Sequence, residues 1–390
     1  MRYIVNIVDP NDPLPAYLFV REKQERGDRL MFIAANGDGH HIGHLAHMLG
    51  IEAKEVTAVV MPTAEDDLKY EHISRHVLKF LEKGTRYLVN LAGGTRYMAL
   101  AAQHVFKGFD SQFFYVKTRE NEIVSTIFDD SLYDEDDISV PIRYRMGIAE
   151  YLALHGLDSN LADGGHEPIR DRQAVLRFFR SFAYNQLANE DYDTLNKLRI
   201  YYRPEIEPLE IGRLVRHGVG TAFGKRKPAL RHLQQLFNKV GFEPEHRGTL
   251  LHAEVEYLTG GWFEDYVYYL VRDALKPNEA ATGIVFARPG ERHTNELDVT
   301  FIKNNQFFVV ECKTGVQSDH LFNEIVYKAC ALREGLLGVA THSYIFSLKS
   351  DADGHLKQVA RLMNIEFCDR RTLTTEGINA VFARMRQICR

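Results

Sequence analysis

The N-terminal part of the chain alternates short apolar runs with amphipathic segments. The apolar runs, each predicted to be a buried strand, are Tyr3–Val8, Leu30–Ala35, Glu55–Met61, Tyr87–Leu91 and Gln112–Lys117. The clearest segments with the three- to four-residue spacing of helices are Leu14–Glu25, Asp66–Glu82 and Arg96–Lys107. Strands that alternate with helices pair in parallel through right-handed crossovers. The pattern therefore predicts an α/β fold with a doubly wound, mainly parallel sheet.

The pattern changes twice further along the chain. An acidic run at Asp129–Asp137 is typical of a solvated linker, and the segment after it is helical and less regular. Near residue 251 strand signals return between helices. At roughly 150 residues per domain, 390 residues fit two or three domains. We predict an α/β domain over 1–142, a helical connector over 143–250 and a second α/β domain over 251–390.

Charge is unevenly distributed along the chain. Lys and Arg number 48 against 53 Asp and Glu, and the formal net charge of −5 does not by itself indicate a nucleic-acid partner. Between Lys197 and Arg247, however, eleven Lys and Arg accompany five Glu, a local excess of +6. Much of this excess comes from Arg213, Arg216, Lys225, Arg226, Lys227 and Arg231. A surface that follows phosphates and an ordinary solvated helix face explain the stretch about equally well.

Cysteine spacing and the N-terminal residues bear on the compartment. The four cysteines contain no CxxC pair and give no disulfide framework, as expected in a reducing environment. The first residues lack the apolar core of a signal peptide, and no apolar stretch approaches the ~20 residues of a membrane span. We therefore expect a cytoplasmic protein with no membrane partner.

The most informative segment is NELDVTFIKNNQFFVVECKTG, at Asn295–Gly315. Two β-rich runs flank Asn304 and Asn305, and asparagine tolerates the positive φ that a tight hairpin turn requires. The segment therefore predicts a hairpin. One face of this hairpin is expected to carry Leu297, Val299, Phe301, Phe308, Val310 and Cys312 as a core surface.

Four polar groups share the other predicted face. Pairing about the turn places Asp298 opposite Glu311, and it places Glu296 opposite Lys313. Directly opposed Cβ atoms lie ~4.5–5.5 Å apart, so the two carboxylates repel unless a cation separates them. Mg²⁺ or Mn²⁺, with the Cys312 backbone carbonyl as a further ligand, would resolve this conflict, and Lys313 could then orient or deprotonate a water or stabilise a phosphate. The alternative is a solvated face with a Glu296–Lys313 ion pair.

A helix predicted upstream, GGWFEDYVYYLVRDAL, carries Glu264 in its first turn, where it can reach the metal site or merely complement the helix dipole. Together these residues resemble the PD-(D/E)xK restriction-endonuclease-like fold. The catalytic residues that this resemblance implies are Glu264, Asp298, Glu311 and Lys313, with Asp298, Glu311 and the Cys312 carbonyl as metal ligands. Leu297 stands where that family usually has proline.

A second motif, Gly93-Gly94-Thr95 followed by Arg96, lies where the fourth predicted strand meets a helix. Glycines permit close backbone approach, helix N–H groups favour anionic oxygens, and Arg96 adds a positive charge. The DPNDP loop after the first strand falls on the same carboxyl edge of the predicted sheet. Tight strand–helix packing is the alternative explanation of the two glycines.

The YIVNIV strand and the GGT turn resemble the CARF domain, the Rossmann-like sensor of type III CRISPR systems. Combined with the nuclease motif, they resemble the CARF–endonuclease effectors that cyclic tetra-adenylate activates. The ligand-binding residues that this resemblance implies are Asp9, Asn11, Asn36, Gly93, Gly94, Thr95 and Arg96. Arg96 stands where the family usually has lysine, and Asp9 lies in a loop expected to approach phosphate.

The resemblance also implies assembly and mechanism. It implies a homodimer that binds one cyclic oligoadenylate across its symmetric interface, and a ligand-induced rearrangement that activates the nuclease. The implied activity is Mn²⁺- or Mg²⁺-dependent cleavage of single-stranded RNA or DNA, or nicking of plasmid duplex, in antiviral defence. Two other classes stay open: a constitutive restriction or repair endonuclease, and a non-catalytic cyclic-nucleotide sensor that binds nucleic acid.

Three further motifs carry less weight. The GxGxxxG at residues 37–43 is one residue longer than a dinucleotide fingerprint and does not follow the first strand. His40, His44 and His47 could share a helix face and bind zinc, but a solvated cluster explains them better. The chain contains no GxSxG nucleophile elbow of a serine hydrolase.

Overall fold

The computed structural model describes residues 1–66, 69–126, 138–164, 167–184, 187–201, 209–210, 230–246, 248–292, 294–314, 319–332, 337–338, 341–351 and 354–389. The strands are β1 (Arg2–Ile7), β2 (Arg29–Ala34), β3 (Val56–Val60), β4 (Arg86–Asn90), β5 (Asp110–Lys117), β6 (Glu122–Thr126), β7 (Ile138–Pro141), β8 (Asp158–Ser159), β9 (Leu209–Glu210), β10 (Thr249–Leu250), β11 (Glu279–Ala287), β12 (Asn295–Lys303), β13 (Gln306–Lys313), β14 (Thr341–Ser347) and β15 (Glu366–Cys368). The helices are α1 (Leu14–Lys23), α2 (Gly39–Leu49), α3 (Tyr70–Leu78), α4 (Arg96–Phe106), α5 (Ile148–Leu154), α6 (Arg172–Ala183), α7 (Asn189–Tyr201), α8 (Leu230–Val240), α9 (His252–Glu256), α10 (Trp262–Leu275), α11 (Asp319–Leu332), α12 (His355–Leu362), α13 (Arg370–Thr374) and α14 (Gly377–Ile388).

The N-terminal sheet has seven strands in the order β3-β2-β1-β4-β5-β6-β7. Its first five strands are parallel, whereas β6 and β7 add to the edge in antiparallel fashion. Helices α1 and α2 pack on one face, and α3 and α4 pack on the other. Strand β1 is therefore buried on both faces, as expected for a strand covered on both sides. The predicted doubly wound, mainly parallel sheet is confirmed.

The C-terminal sheet has six strands in the order β15-β14-β13-β12-β11-β8. Strands β11, β12 and β13 form an antiparallel meander, and β14 and β15 continue from β13 in parallel. One face packs against α10 together with α6, α8 and α14 in a single apolar cluster. Helices α11 and α12 cover β14 and β15 on the other face. The helices α6 and α8 of the predicted connector thus share a core with the C-terminal sheet.

A second apolar cluster runs without interruption from the N-terminal sheet to the C-terminal one. Helix α5 lies at its centre. Tyr151 on α5 stacks on Phe307 of β13, with ring centroids 4.4 Å apart and planes inclined by 8°. At the start of the same helix, the N–H of Ile148 donates to Glu279 Oε2 at 2.7 Å. The two sheets are therefore joined through buried contacts.

Some predicted features differ from the structure or lie beyond it. Helix α3 is shorter than predicted, because Asp66 accepts a hydrogen bond from the Thr63 hydroxyl and lies before the helix. The acidic run Asp129–Asp137 lies outside the described residues, as do the connector cations Arg213, Arg216, Lys225, Arg226 and Lys227. Within the described residues, no helix has both the length and the apolar character needed to cross a bilayer.

Candidate functional site

The β12–β13 hairpin has the predicted register. Lys303 pairs with Gln306, and the following pairs keep the same spacing. Asn304 and Asn305 form the turn with φ angles of 48° and 60°, the left-handed conformation that asparagine tolerates. The predicted two-residue turn is therefore confirmed.

The pairing with the neighbouring strand is interrupted at Asp298. On β11, Gly283 lies across from Asp298 with φ at 60°, and the ladder skips this pair. Val299 packs beneath α10, whereas Leu297 packs in the cluster on the opposite face. The prediction that Leu297 and Val299 share a face is wrong. The interrupted pairing at Asp298 forms a kink in β12, and the side chains on its two sides do not follow one continuous alternation between the faces.

Three predicted site residues meet at the open end of the hairpin. Asp298 Oδ2 accepts hydrogen bonds from the Cys312 N–H at 2.7 Å and from Lys313 Nζ at 3.2 Å. Lys313 Nζ also lies 2.6 Å from Glu311 Oε1, so this ammonium bridges the two carboxylates. The alternative Glu296–Lys313 pair is not among the ion pairs of the described residues.

Burial and like charge shape the protonation of this cluster. Burial, followed by the charge of Asp298, raises the pKa of Glu311. Burial together with the charges of Asp298 and Glu296 raises the pKa of Glu264 to about 9, which places Glu264 within electrostatic reach of the hairpin. Burial works to lower the pKa of Lys313, but the two neighbouring carboxylates outweigh it and the net pKa is raised. The site thus brings together more carboxyl groups than one lysine can balance, and the raised pKa values mean that Glu264 and Glu311 hold their protons more readily than usual.

A divalent cation would allow these crowded, buried carboxyl groups to ionise together. The contacts with Cys312 and Lys313 engage one oxygen of Asp298 and one of Glu311, which leaves the second oxygen of each carboxylate for a cation. Oxygen donors suit Mg²⁺ or Mn²⁺. Among the described residues no three His, Cys, Asp or Glu side chains already stand at ligand distance of one point, so water and backbone oxygens would complete the shell.

At the carboxyl edge of the N-terminal sheet, the loops after β1 and β4 are in contact. A Cβ on Gly93, whose φ is 121°, would lie 2.3 Å from the Ile7 carbonyl oxygen, and one on Gly94 would lie 2.4 Å from the Ile7 side chain. Thr95 caps α4 through its hydroxyl. The two glycines therefore serve close packing, which also brings Gly93 beside the backbone of Asp9.

The remaining predicted ligand residues lie around this edge. Asp9 Oδ1 accepts from the Asn11 N–H at 2.9 Å, which shapes the first loop. Asn36 donates to the Met61 carbonyl at 2.9 Å and ties the second loop to the third strand. Arg96 is exposed at the start of α4.

Asn11 also lines a cleft of about 990 Å³ between the two sheets. The cleft is rich in cations, of which the N-terminal part of the chain supplies one and the C-terminal part three. They are Arg119, Lys357, Arg361 and Arg384. Among the described residues of the lining, the acidic one is Glu366, which forms an ion pair with Arg384.

The sequence reasoning missed a buried pair of asparagines beneath the ligand edge. Asn6 and Asn90 are fully buried neighbours on β1 and β4, and Asn90 Nδ2 donates to Asn6 Oδ1 at 3.0 Å. Asn90 also accepts from the Ala92 N–H at 3.0 Å and donates to the Pro15 carbonyl at 3.3 Å. Asn90 therefore ties the loop after β4 to the first turn of α1. The available signal was one polar residue in each otherwise apolar strand.

Asp12 was also missed. Its carboxyl group lies in the loop after β1, where burial and the neighbouring charge of Asp9 raise its pKa to about 6. Its Oδ1 has no hydrogen-bond partner among the described residues. A second acid in a loop expected to meet phosphate gives this edge a titratable charge.

Comparison with known proteins identifies both halves of the chain. Residues 4–151 match the family model of the Card1 CARF domain, and residues 252–367 match that of the Card1-like endonuclease domain. The chain combines a Card1 CARF domain with a Card1-like endonuclease domain. No curated protein is detectably similar to it in sequence.

Two solved structures share the fold over nearly the whole length. Protein VC1899 from Vibrio cholerae superposes with a TM-score of 0.72 at 19% identity, over 100% of this chain and 98% of that one. Can2 from Sulfobacillus thermosulfidooxidans, solved in complex with cyclic tetra-adenylate, superposes with a TM-score of 0.66 at 20% identity, over 96% and 97% of the respective chains. By the two family matches, the glycine turn lies in the CARF domain, and the Asp298–Lys313 hairpin lies in the endonuclease domain.

The histidines on α2 of the CARF domain do not gather around a metal position among the described residues. His44 Nε2 contacts the carbonyl of Ala153 at 2.9 Å and ties α2 to α5, while His40 contacts the carbonyl of Gly37 at 3.1 Å. The cluster thus has a structural explanation.

Proposed function

We propose that the chain is a metal-dependent endonuclease of type III CRISPR antiviral defence that cyclic oligoadenylate, in the form of cyclic tetra-adenylate, switches on. The observation that carries this proposal is the placement of Asp298, Glu311 and Lys313 in one charged cluster of an endonuclease domain that shares a buried core with a CARF domain. The domains are a CARF sensor at 1–142, a helical connector at 143–250 and a PD-(D/E)xK nuclease at 251–390.

Asp298 and Glu311, with the Cys312 carbonyl, are the proposed metal ligands, and Glu264 is the acidic residue contributed by α10. When bound, Mn²⁺ or Mg²⁺ would polarise the scissile phosphate and acidify water. Lys313 lies between the two carboxylates, so it stands beside the place where the phosphate must bind. There it orients a water and stabilises the charge that develops on phosphate oxygens.

The proposed ligand residues are Asp9, Asn11, Asn36, Gly93, Gly94, Thr95 and Arg96. The exposed Arg96 guanidinium supplies a phosphate contact, and Gly93 and Gly94 let the loop that precedes it pack against Ile7 at the ligand edge. The cyclic tetra-adenylate bound in the Can2 structure supports this ring size for a chain of the same fold.

We propose a homodimer formed around α4. Next to Arg96, this helix presents Tyr97 and Leu100 with 53% and 55% of their surfaces exposed. They lie three residues apart and therefore on one side of the helix. A second copy that covers this apolar strip would place two Arg96 side chains at one shared ligand site.

Single-stranded RNA or DNA, or plasmid duplex, is the proposed substrate. The deciding experiment measures cleavage of all three with Mn²⁺ or Mg²⁺, alone and with cyclic tri-, tetra- or hexa-adenylate. We expect cutting only with metal and a large increase with the tetra-adenylate. Equal cutting in every ligand condition would instead establish a constitutive endonuclease. Ligand binding without any cutting would establish a non-catalytic sensor.

A further inference from the structure

The tip of the nuclease hairpin is buried, although hairpin tips are usually exposed. Asn305 is 1% exposed and Gln306 is fully buried. A buried turn requires partners for its polar groups, because an unpaired buried amide costs free energy. The Asn305 side chain and the Gln306 amide nitrogen find those partners in residues that precede the endonuclease domain, while Gln306 Oε1 contacts His342 Nε2 at 3.1 Å within that domain.

The Asn305 amide makes three hydrogen bonds, all of them to residues that precede the endonuclease domain. Its Nδ2 donates to Asn121 Oδ1 at 2.8 Å and to the Tyr144 carbonyl at 3.0 Å, and its Oδ1 accepts from the Met146 N–H at 2.9 Å. Gln306 donates to the Thr118 carbonyl. The hairpin tip is therefore fixed to the β5–β6 turn and to the segment that leaves the CARF sheet.

Asn121 is built to receive this contact. It is 3% exposed, and its φ of 55° is one that few residues other than glycine and asparagine adopt. Its Nδ2 donates to the Ile142 carbonyl at 3.1 Å, while its Oδ1 accepts from Asn305. In both Asn121 and Asn305, the amide nitrogen thus donates a hydrogen bond and the amide oxygen accepts one.

The neighbouring Asn304 has the same backbone conformation but different partners. Its N–H donates to Asn278 Oδ1 at 2.9 Å, and its side chain donates to the Cys389 carbonyl. Both of those partners lie in the C-terminal part of the chain. Asn304 therefore makes its contacts within the endonuclease domain, whereas Asn305 contacts the CARF half of the chain.

Continuous structure connects this contact to both sites. Strand β5 lies beside β4, and the Leu91 N–H, just before the glycine turn, donates to the Phe114 carbonyl at 2.8 Å. On the nuclease side, an unbroken ladder runs from the turn to the pair formed by Val299 and Val310, next to the carboxylates. At about 3.4 Å per residue, the six-residue separation between the turn and each carboxylate corresponds to about 20 Å along the strands.

We propose that Asn305 is a positioning residue: paired with Asn121, it couples movement of the CARF ligand edge to the placement of the metal-binding end of the hairpin. This inference rests on the proposed function, since it requires a ligand that favours one arrangement of the edge. A shift of the turn would reach the carboxylates, because the hydrogen-bonded ladder of β12 and β13 joins both strands to the turn.

The test compares Asn305→Gly with Asn304→Gly, because both variants keep a residue that accepts the positive φ. Cyclic tetra-adenylate affinity, the ratio of cleavage rates with and without ligand, and amide hydrogen exchange of residues 295–313 are measured in the full-length protein. For Asn305→Gly we expect ligand affinity within about twofold of wild type, at least a tenfold smaller activation ratio, and loss of the ligand-dependent change in exchange. Asn304→Gly should keep both responses.

The Asn121→Gly variant approaches the contact from the other side and decides the question should Asn305→Gly fail to fold. It should lose activation similarly, and the double variant should lose no more than either single one. Wild-type activation that persists in Asn305→Gly, or an equal loss in Asn304→Gly, overturns the coupling and leaves the proposed function intact. A wild-type protein that no ligand activates overturns both.

Discussion

Asp298 Oδ2 accepts a hydrogen bond from the backbone N–H of Cys312 at 2.7 Å, across the open end of the hairpin. The bond forms where Asp298 has dropped out of the ladder with Gly283. A carboxylate that would otherwise project from a sheet face is thereby directed toward Glu311 and Lys313. The kink is therefore part of the candidate active site.

Gly283 sustains this kink through its φ of 60°, and no atom lies within 4 Å of a Cβ added there. Substitution is therefore limited by backbone strain alone. Gly283→Ala should lower the free energy of unfolding by about 1–2 kcal/mol, and Gly283→Asn by less, since asparagine tolerates the left-handed region. Denaturant unfolding of both variants checks this. Equal stability of the alanine variant and wild type would show that the strand relaxes at this position.

Glu311→Gln tests the nuclease site itself, since it keeps the shape of the side chain and removes its charge. Loss of several kcal/mol of metal-assisted transition-state stabilisation corresponds to about a thousandfold lower cleavage. Cyclic tetra-adenylate affinity should be unchanged, because the CARF edge is not altered. Cleavage assays and ligand titration measure the two effects.

Glu296→Gln is the matched control, because Glu296 raises the pKa of Glu264 but lies outside the Lys313 ion pairs. It should lower cleavage less than about tenfold, in line with a charge that acts only through space. A larger loss for Glu296→Gln than for Glu311→Gln would move the metal site toward Glu296.

Local sequence rules were sufficient to predict the pairing of the nuclease hairpin from its turn back to Val299. Two asparagines specify the turn, and counting outward from it gives the register. The rule fails beyond Val299, because the positive φ of Gly283 on the neighbouring strand resets the alternation and moves Leu297 to the other face. A glycine in β11 does not reveal from the sequence alone which residue of β12 lies opposite it.

The contacts between domains could not be predicted in the same way. Asn305 reads equally well as an exposed turn residue, since its preference for positive φ is satisfied in either setting. Its burial depends on Asn121, more than 180 residues earlier in the chain. Asn6 and Asn90 show the same limit, because a single polar residue in an apolar strand does not identify its partner.

The ligand edge can be tested through Gly93 and Gly37, which both have positive φ and follow β4 and β2 at the carboxyl edge of the sheet. A Cβ on Gly93 would collide with the Ile7 carbonyl, whereas one on Gly37 meets nothing within 4 Å. Gly93→Ala should therefore weaken cyclic tetra-adenylate binding at least about tenfold, and Gly37→Ala should cost only about 1–2 kcal/mol of stability. Calorimetric titration and thermal unfolding measure these effects. Equal affinity for both variants would place the ligand elsewhere.

Asn90 and Asn6 differ in what their removal exposes. Asn90→Ala leaves Asn6 Oδ1, the Ala92 N–H and the Pro15 carbonyl without their partner, whereas Asn6→Ala removes one acceptor from Asn90. Each buried group left unpaired costs about 1–3 kcal/mol. Asn90→Ala should therefore destabilise the protein by several kcal/mol and by more than Asn6→Ala in denaturant unfolding. The reverse order would mean that water replaces the lost contacts of Asn90.

Asp12 predicts how stability depends on pH. Its pKa of about 6 lies above the usual value of 3.8, chiefly because the carboxyl group is buried and next because Asp9 is close. A raised pKa in the folded state means that the protonated form is favoured there, so its stabilising effect is complete below about pH 4 and is lost as the pH rises through about 6. At pH 8 the buried charge costs about 3 kcal/mol. Unfolding free energies of wild type and Asp12→Asn, measured from pH 4 to pH 8, should therefore diverge in favour of the variant as the pH rises. Parallel pH profiles would show that the loop opens and hydrates the carboxylate.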